Sequence, residues 1–163
     1  MERKSSFAPI VARNTRVLIL GSLPGERSLA ERRYYAHPRN LFWKFVGGVI
    51  GVDLEALAYD ARLQALLTAK IGLWDTVASA ARQGSLDAAI RQALHNPLAD
   101  LAASLPELRA VAFNGAASAR IGTPPLAGSG LALLPLPSSS PAYAAMPQAD
   151  KRKLWAAIGE FLG

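Results

Sequence analysis

Apolar and polar positions along the chain fall into alternating strand-like and helix-like stretches. Val17-Leu18-Ile19-Leu20 is a short aliphatic run closed by Gly21, the pattern of a parallel strand buried on both faces. Runs of this kind predict strands over 16–21, 71–77, 110–114 and 131–136. Helical patterns are expected over 40–51 and over 53–70, where Leu54, Leu57, Ala61 and Leu66 recur at helical spacing. Ser85 as an N-cap predicts a helix over 85–94, and Pro97 suits the first helical position of another reaching 105. A last helix is expected after Asp150, with Leu154, Trp155, Ile158, Phe161 and Leu162 as its apolar stripe and Lys151, Arg152 and Lys153 exposed. Residues 122–130, with Pro124 and Pro125, read as a loop. Strands alternating with helices predict an α/β fold, a mainly parallel four-stranded sheet covered on both faces.

Composition narrows this picture. With 163 residues, 51% of them hydrophobic, residues 1–163 are expected to form a single domain with a substantial core. A formal charge of +6 suits an anionic partner such as nucleic acid, although charge alone is weak support. The absence of cysteine excludes a disulfide scaffold, a thiol nucleophile and Cys-ligated zinc or iron–sulfur groups. His37 and His95 are far apart and follow no ligand pattern, so neither a metal nor another cofactor is expected. The apolar run from Phe7 is interrupted by Arg13, too soon for a signal peptide, and no run approaches a membrane span. The expectation is a cytoplasmic protein without a membrane partner.

Candidate chemistry concentrates in Gly21–Trp43, GSLPGERSLAERRYYAHPRNLFW. Its first residues leave the carboxyl end of the first predicted strand, where open α/β sheets bind ligands. Gly21 and Gly25 allow close backbone approach there, and Pro24 fixes the turn between them.

Three motifs carry a resemblance. Gly21-Ser22-Leu23-Pro24, the run Tyr35-Ala36-His37-Pro38-Arg39-Asn40-Leu41-Phe42-Trp43, and Leu136-Pro137-Ser138-Ser139-Ser140-Pro141 occur in an order and spacing that resembles the uracil-DNA glycosylase superfamily. The resemblance spans nearly the whole chain and implies a three-layer α/β/α domain. Many members carry Asp or Asn directly before the first-loop Pro; here that residue is Leu23, which cannot orient water. An apolar residue there resembles the hypoxanthine-DNA glycosylases, and implies that Asn40 orients the attacking water by accepting its hydrogen bond. An Asn before a helix also serves as a cap, and the two uses are compatible.

The same resemblance implies the remaining site. Tyr35 would stack on an extruded base, its alternative use being an ordinary core aromatic. Leu23, Asp75 and Asn114 would form the rest of the base pocket. A carboxylate at Asp75 accepts the ring N–H of hypoxanthine, xanthine or uracil and opposes the N1 acceptor of adenine, whereas a strand-end Asp also commonly caps the next segment. Asn114 would touch the base or support the pocket. Gly21, Ser22, Pro24, Gly25, His37, Ser138, Ser139, Ser140, Ala142 and Tyr143 would face DNA, His37 mainly by holding its loop. Where many relatives carry a Leu wedge, this chain has Ala142, with Tyr143 as its substitute.

The implied activity is a monofunctional DNA glycosylase acting as a monomer on DNA with deaminated bases, deoxyinosine first, in base excision repair. Alternatives are a glycosylase for mispaired or single-stranded uracil and a nucleic-acid or nucleotide binding module without chemistry. A serine hydrolase using the Ser138 region ranks below both, because no general base accompanies those serines.

Overall fold

The computed structural model describes residues 3–163 and contains two sheets. Strands β2 (Val17–Gly21), β3 (Ile71–Asp75), β6 (Ala110–Asn114) and β7 (Ala132–Leu136) form a parallel sheet in the order β3-β2-β6-β7. Side-chain alternation along β2 divides the core. Val17 and Ile19 face Phe42, Phe45, Trp155 and Ile158, whereas Leu18 and Leu20 face Leu98, Phe113 and Leu126 on the other side. Helices α2 (Phe42–Ile50), α3 (Tyr59–Thr68) and α6 (Gln148–Trp155) supply the first layer; α4 (Leu98–Ala103) and α5 (Ala116–Leu126) supply the second. The expected three-layer α/β/α architecture is the observed one.

The second sheet is antiparallel, with β1 (Arg3–Ser5), β4 (Val77–Ala81) and β5 (Arg91–His95) in the order β1-β4-β5. Its existence corrects two expectations. The strand expected over 71–77 ends at Asp75, and the chain passes through Thr76 into β4 of the other sheet. The helix expected over 85–94 is instead a short 3₁₀ turn at Asp87–Ala89 followed by β5, because pairing with β4 outweighs the cap signal at Ser85.

Other boundaries moved for local reasons. The helix expected over 53–70 is broken into a 3₁₀ turn at Leu54–Ala56 and α3. The loop expected over 122–130 is helical as far as Leu126, with Pro124 and Pro125 in the last turn of α5. Gly122 there lets the helix lie directly on the Phe113 ring, against which a Cβ would collide. Near the C-terminus, Leu154 of the expected apolar stripe is exposed and Lys151, expected at the surface, is buried.

Candidate active site

Strand β2 lies between β3 and β6, and the chain crosses from β3 over β2 to reach β6. Connections therefore leave β2 and β6 in opposite directions, which opens a crevice at their carboxyl ends. A cavity of about 840 Å³ occupies it. Every candidate site residue implied by the resemblance lines this cavity: the Gly21–Gly25 stretch, Tyr35, His37, Asn40, Asp75, Asn114, the three serines, Ala142 and Tyr143.

The first loop is held from behind. Gly21 O and Ser22 O accept the N–H groups of Thr76 and Val77, 2.8 and 2.9 Å away. The Arg82 guanidinium, almost fully buried, donates to the carbonyls of Leu23 and Pro24. Leu23 packs its side chain against Val77 and Ala80. The Ser22 hydroxyl donates to Asp87 Oδ1 at 2.5 Å. Gly21 is required by crowding: a Cβ there would stand 2.6 Å from Asp75 Oδ1 and 3.2 Å from Tyr35 Oη.

Tyr35 adopts a left-handed backbone, φ 53°, and its ring stacks on Phe42 with centroids 3.9 Å apart. One face is thus core, and the ring also borders the cavity. His37 Nδ1 accepts the Arg39 N–H at 3.1 Å, an internal tie of its own turn. Asn40 Oδ1 accepts twice, from Phe42 N–H at 2.9 Å at the start of α2 and from Ser139 Oγ at 2.8 Å. Those bonds fill both lone pairs of the amide oxygen, so the group Asn40 offers to the cavity is its NH₂ donor. This redirects the expectation that its oxygen accepts from water.

Asn114 and Ser139 form a closed pair. Asn114 Oδ1 accepts the Ser139 N–H and Asn114 Nδ2 donates to Ser139 Oγ, both at 2.9 Å. Asn114 is thereby a support for the late loop. Ser139 is fully buried with its hydroxyl committed, which corrects its expected contact with DNA. Its neighbours differ. Ser138 Oγ accepts from Ser140 N–H and Ser140 Oγ accepts from Ala142 N–H, leaving each hydroxyl proton free to donate outward. Gly115, at φ 98°, packs close under the late loop: a Cβ there would stand 3.3 Å from the Ser138 Cβ. Beneath the loop, Lys151 Nζ donates to Ser138 O and Tyr143 O and lies 4.6 Å from the centre of the Tyr143 ring. Ser139→Ala is expected to leave the buried Asn114 amide short of a partner and to cost about 1–3 kcal/mol of stability, measured by denaturant unfolding.

Asp75 is the electrostatic centre. Its carboxyl is 4% exposed, and its Oδ2 has no hydrogen-bond partner. Burial first, and then the nearby Asp87, push it up to about 7 against the opposing pull of Arg82. The Tyr35 hydroxyl is likewise buried and unpartnered. Burial, reinforced by the Asp75 charge and only partly opposed by the nearby Asn114 side chain, holds that phenol far above its ordinary value, so it remains a neutral donor. Two unsatisfied buried groups side by side call for a cause, and a ligand that supplies both partners is one.

The chain is similar to proteins of known family. Residues 8–159 match the family model of the Uracil DNA glycosylase superfamily. The chain belongs to that superfamily. Two similar proteins are named hypoxanthine DNA glycosylase: one from Methanosarcina barkeri, 43% identical over 113 residues (69% of this chain, 72% of that protein), and one from Methanosarcina acetivorans, 39% identical over 137 residues (84% and 86%). A solution NMR structure of a uracil DNA glycosylase candidate from Methanosarcina acetivorans is similar with a TM-score of 0.89, 36% identity and 99% of both chains covered. The activity class of this chain is that of a DNA glycosylase acting on deaminated bases.

Three residues that line or brace this cavity escaped the sequence reading: Arg82 behind the first loop, and Leu86 and Asp87 on the connection between β4 and β5. The signal present at 85–87 was the Ser85 cap position, which pointed to a helix. In the structure, Ser85 Oγ instead accepts the Glu26 N–H at the start of helix α1 (Glu26–Glu31). No helix is long and apolar enough to cross a membrane, and no group of three His, Cys, Asp or Glu could hold a metal among the described residues.

Proposed function

We propose that the chain hydrolyses the N-glycosidic bond of deoxyinosine in DNA, releasing hypoxanthine and leaving an abasic site. The observation that carries this reading is the unpartnered Asp75 carboxyl beside the neutral Tyr35 donor, in the cavity that Asn40 also lines. The lactam edge of hypoxanthine offers a ring N–H to a carboxylate and a carbonyl to a phenol, which satisfies both groups. Tyr35, braced on Phe42, supports the base plane.

In the proposed reaction the bond from C1′ to the base nitrogen breaks, and the base departs with the electron pair. Water adds its oxygen to the cation-like C1′; its proton goes to the medium and the base anion is protonated. Asn40 holds that water by donating from Nδ2 to one lone pair, leaving another free to attack. The free hydroxyl protons of Ser138 and Ser140, with the N–H groups of the first turn of α5, suit flanking phosphates. Among the described residues no lysine lines the cavity, which supports hydrolysis without a Schiff base. Because one chain supplies the whole proposed site, we further propose a cytoplasmic monomer.

Base release from oligonucleotides carrying hypoxanthine, uracil or xanthine tests this. Hypoxanthine should leave fastest, and borohydride should trap no adduct. Release of uracil alone would move the chain to the uracil reading, and no release from any substrate would overturn the assignment of activity.

A further inference from the structure

Extruding a base leaves a gap in the stack, and an apolar side chain inserted there keeps the nucleotide from returning. The late loop, where the sequence resemblance places such a wedge, lacks a suitable group. Ala142 is too small, and the Tyr143 ring is engaged by the Lys151 ammonium at 4.6 Å. The large apolar side chains left exposed among the described residues are Val52, Leu86, Leu94, Tyr143 and Leu154. Single exposed leucines are ordinary on a protein surface, so position has to decide. Of these five, only Leu86 and Tyr143 border the cavity, and Leu86 is the more exposed, at 59% against 37%.

The residues flanking Leu86 are tied to the first loop. Ser85 Oγ accepts the Glu26 N–H at 2.8 Å, and Asp87 Oδ1 accepts the Ser22 hydroxyl at 2.5 Å. Leu86 O accepts the Ala89 N–H at 3.0 Å, closing the 3₁₀ turn, and Ile90 packs on the Leu23 cluster. A leucine held between two anchors is already ordered before DNA arrives, which lowers the entropy lost on insertion. We propose that Leu86, on the connection between β4 and β5, is the side chain that enters the base stack and fills the gap left by the extruded nucleotide. The proposal rests on the glycosylase reading, and it moves the wedge from the late loop to the β4–β5 connection at the cavity's border.

The test compares wild type, Leu86→Ala, Leu86→Met and Tyr143→Ala on hypoxanthine opposite cytosine in a duplex and in the same strand alone. A 2-aminopurine beside the lesion reports unstacking on mixing, independently of bond cleavage. Leu86→Ala should lose on the order of ten- to a hundredfold in duplex rate together with the fluorescence rise, while its single-strand rate stays unchanged. Leu86→Met should restore both duplex signals. An equal loss on both substrates, an unaffected duplex rate, or a duplex-selective loss in Tyr143→Ala alone would overturn the proposal. If wild type releases no base from any substrate, the glycosylase reading fails, and fluorescence decides for Leu86. A rise in wild type that is lost in Leu86→Ala supports the wedge; no rise in wild type overturns it.

Discussion

Replacing Asn40 by alanine is expected to slow hypoxanthine release about a hundred- to a thousandfold, the scale of losing one positioned hydrogen-bond donor at a reacting centre. The aspartate variant is the sharper instrument. Asn40→Asp keeps oxygen acceptors for the Phe42 N–H and the Ser139 hydroxyl, so the start of α2 and the late loop remain tied. It removes the NH₂ group, which is what the geometry leaves facing the cavity. If that donor holds the water, Asn40→Asp falls as far as Asn40→Ala in single-turnover rate. Activity near wild type in Asn40→Asp would return the role to the amide oxygen and place the water as donor. The Asn40→Ala loss must also be separated from loosening of the fold. The substitution deletes two bonds, from the Phe42 N–H and from the buried Ser139 hydroxyl, for a loss of about 2–4 kcal/mol in denaturant unfolding, so its rate is read under conditions where the variant is fully folded and should still collapse there.

The contrast between Asn40 and Leu86 shows what a single sequence makes legible. Asn40, Tyr35 and the three serines sit in contiguous motifs of unusual composition that follow the aliphatic runs marking the sheet. Resemblance of those motifs to the superfamily located them, and the parallel sheet carried them to one crevice. Arg82, Leu86 and Asp87 depend on a sheet that local order hides. β4 is the small-residue stretch VASAA, and the segment before β5 opens on a Ser85 cap signal that pairing with β4 overrides. Burial of Lys151 was equally unreadable, because it is created when the Ser138–Tyr143 loop folds over its Nζ. Gly122 and the Pro124-Pro125 pair misled in the opposite sense. They look like loop punctuation, yet that glycine serves close packing on Phe113. Even within legible motifs, roles needed coordinates: nothing in three successive serines distinguishes the buried link from its outward-facing neighbours.

Asp75→Asn is expected to stabilise the protein at alkaline pH while relaxing its choice of base. The native carboxyl titrates at about 7 against an ordinary value of 3.8, so between those limits the folded state binds more protons than the unfolded chain. Stability contributed by this group is full below the lower limit and is lost as pH rises towards 7, for a penalty of up to about 4 kcal/mol. An amide does not ionise. The variant should match wild type near pH 4 and exceed it by about 1–3 kcal/mol at pH 8 in denaturant unfolding, where no gain at pH 8 would show Asp75 to be already solvated or paired. Retaining a carboxyl that costs stability makes sense if its charge does work. Ionised, Asp75 only accepts, which fits the N–H of a lactam and opposes the N1 acceptor of adenine; Asp87 and Arg82 bias how much of that form exists at a given pH. Discrimination between hypoxanthine and adenine in wild type should accordingly rise as pH crosses 7. Asparagine offers both a donor and an acceptor and can pair with either edge, so Asp75→Asn should keep hypoxanthine release within about tenfold. The pH dependence of its selectivity should vanish, with adenine release gaining on hypoxanthine. Unchanged selectivity at every pH would mean that Asp75 supports the pocket without reading the base.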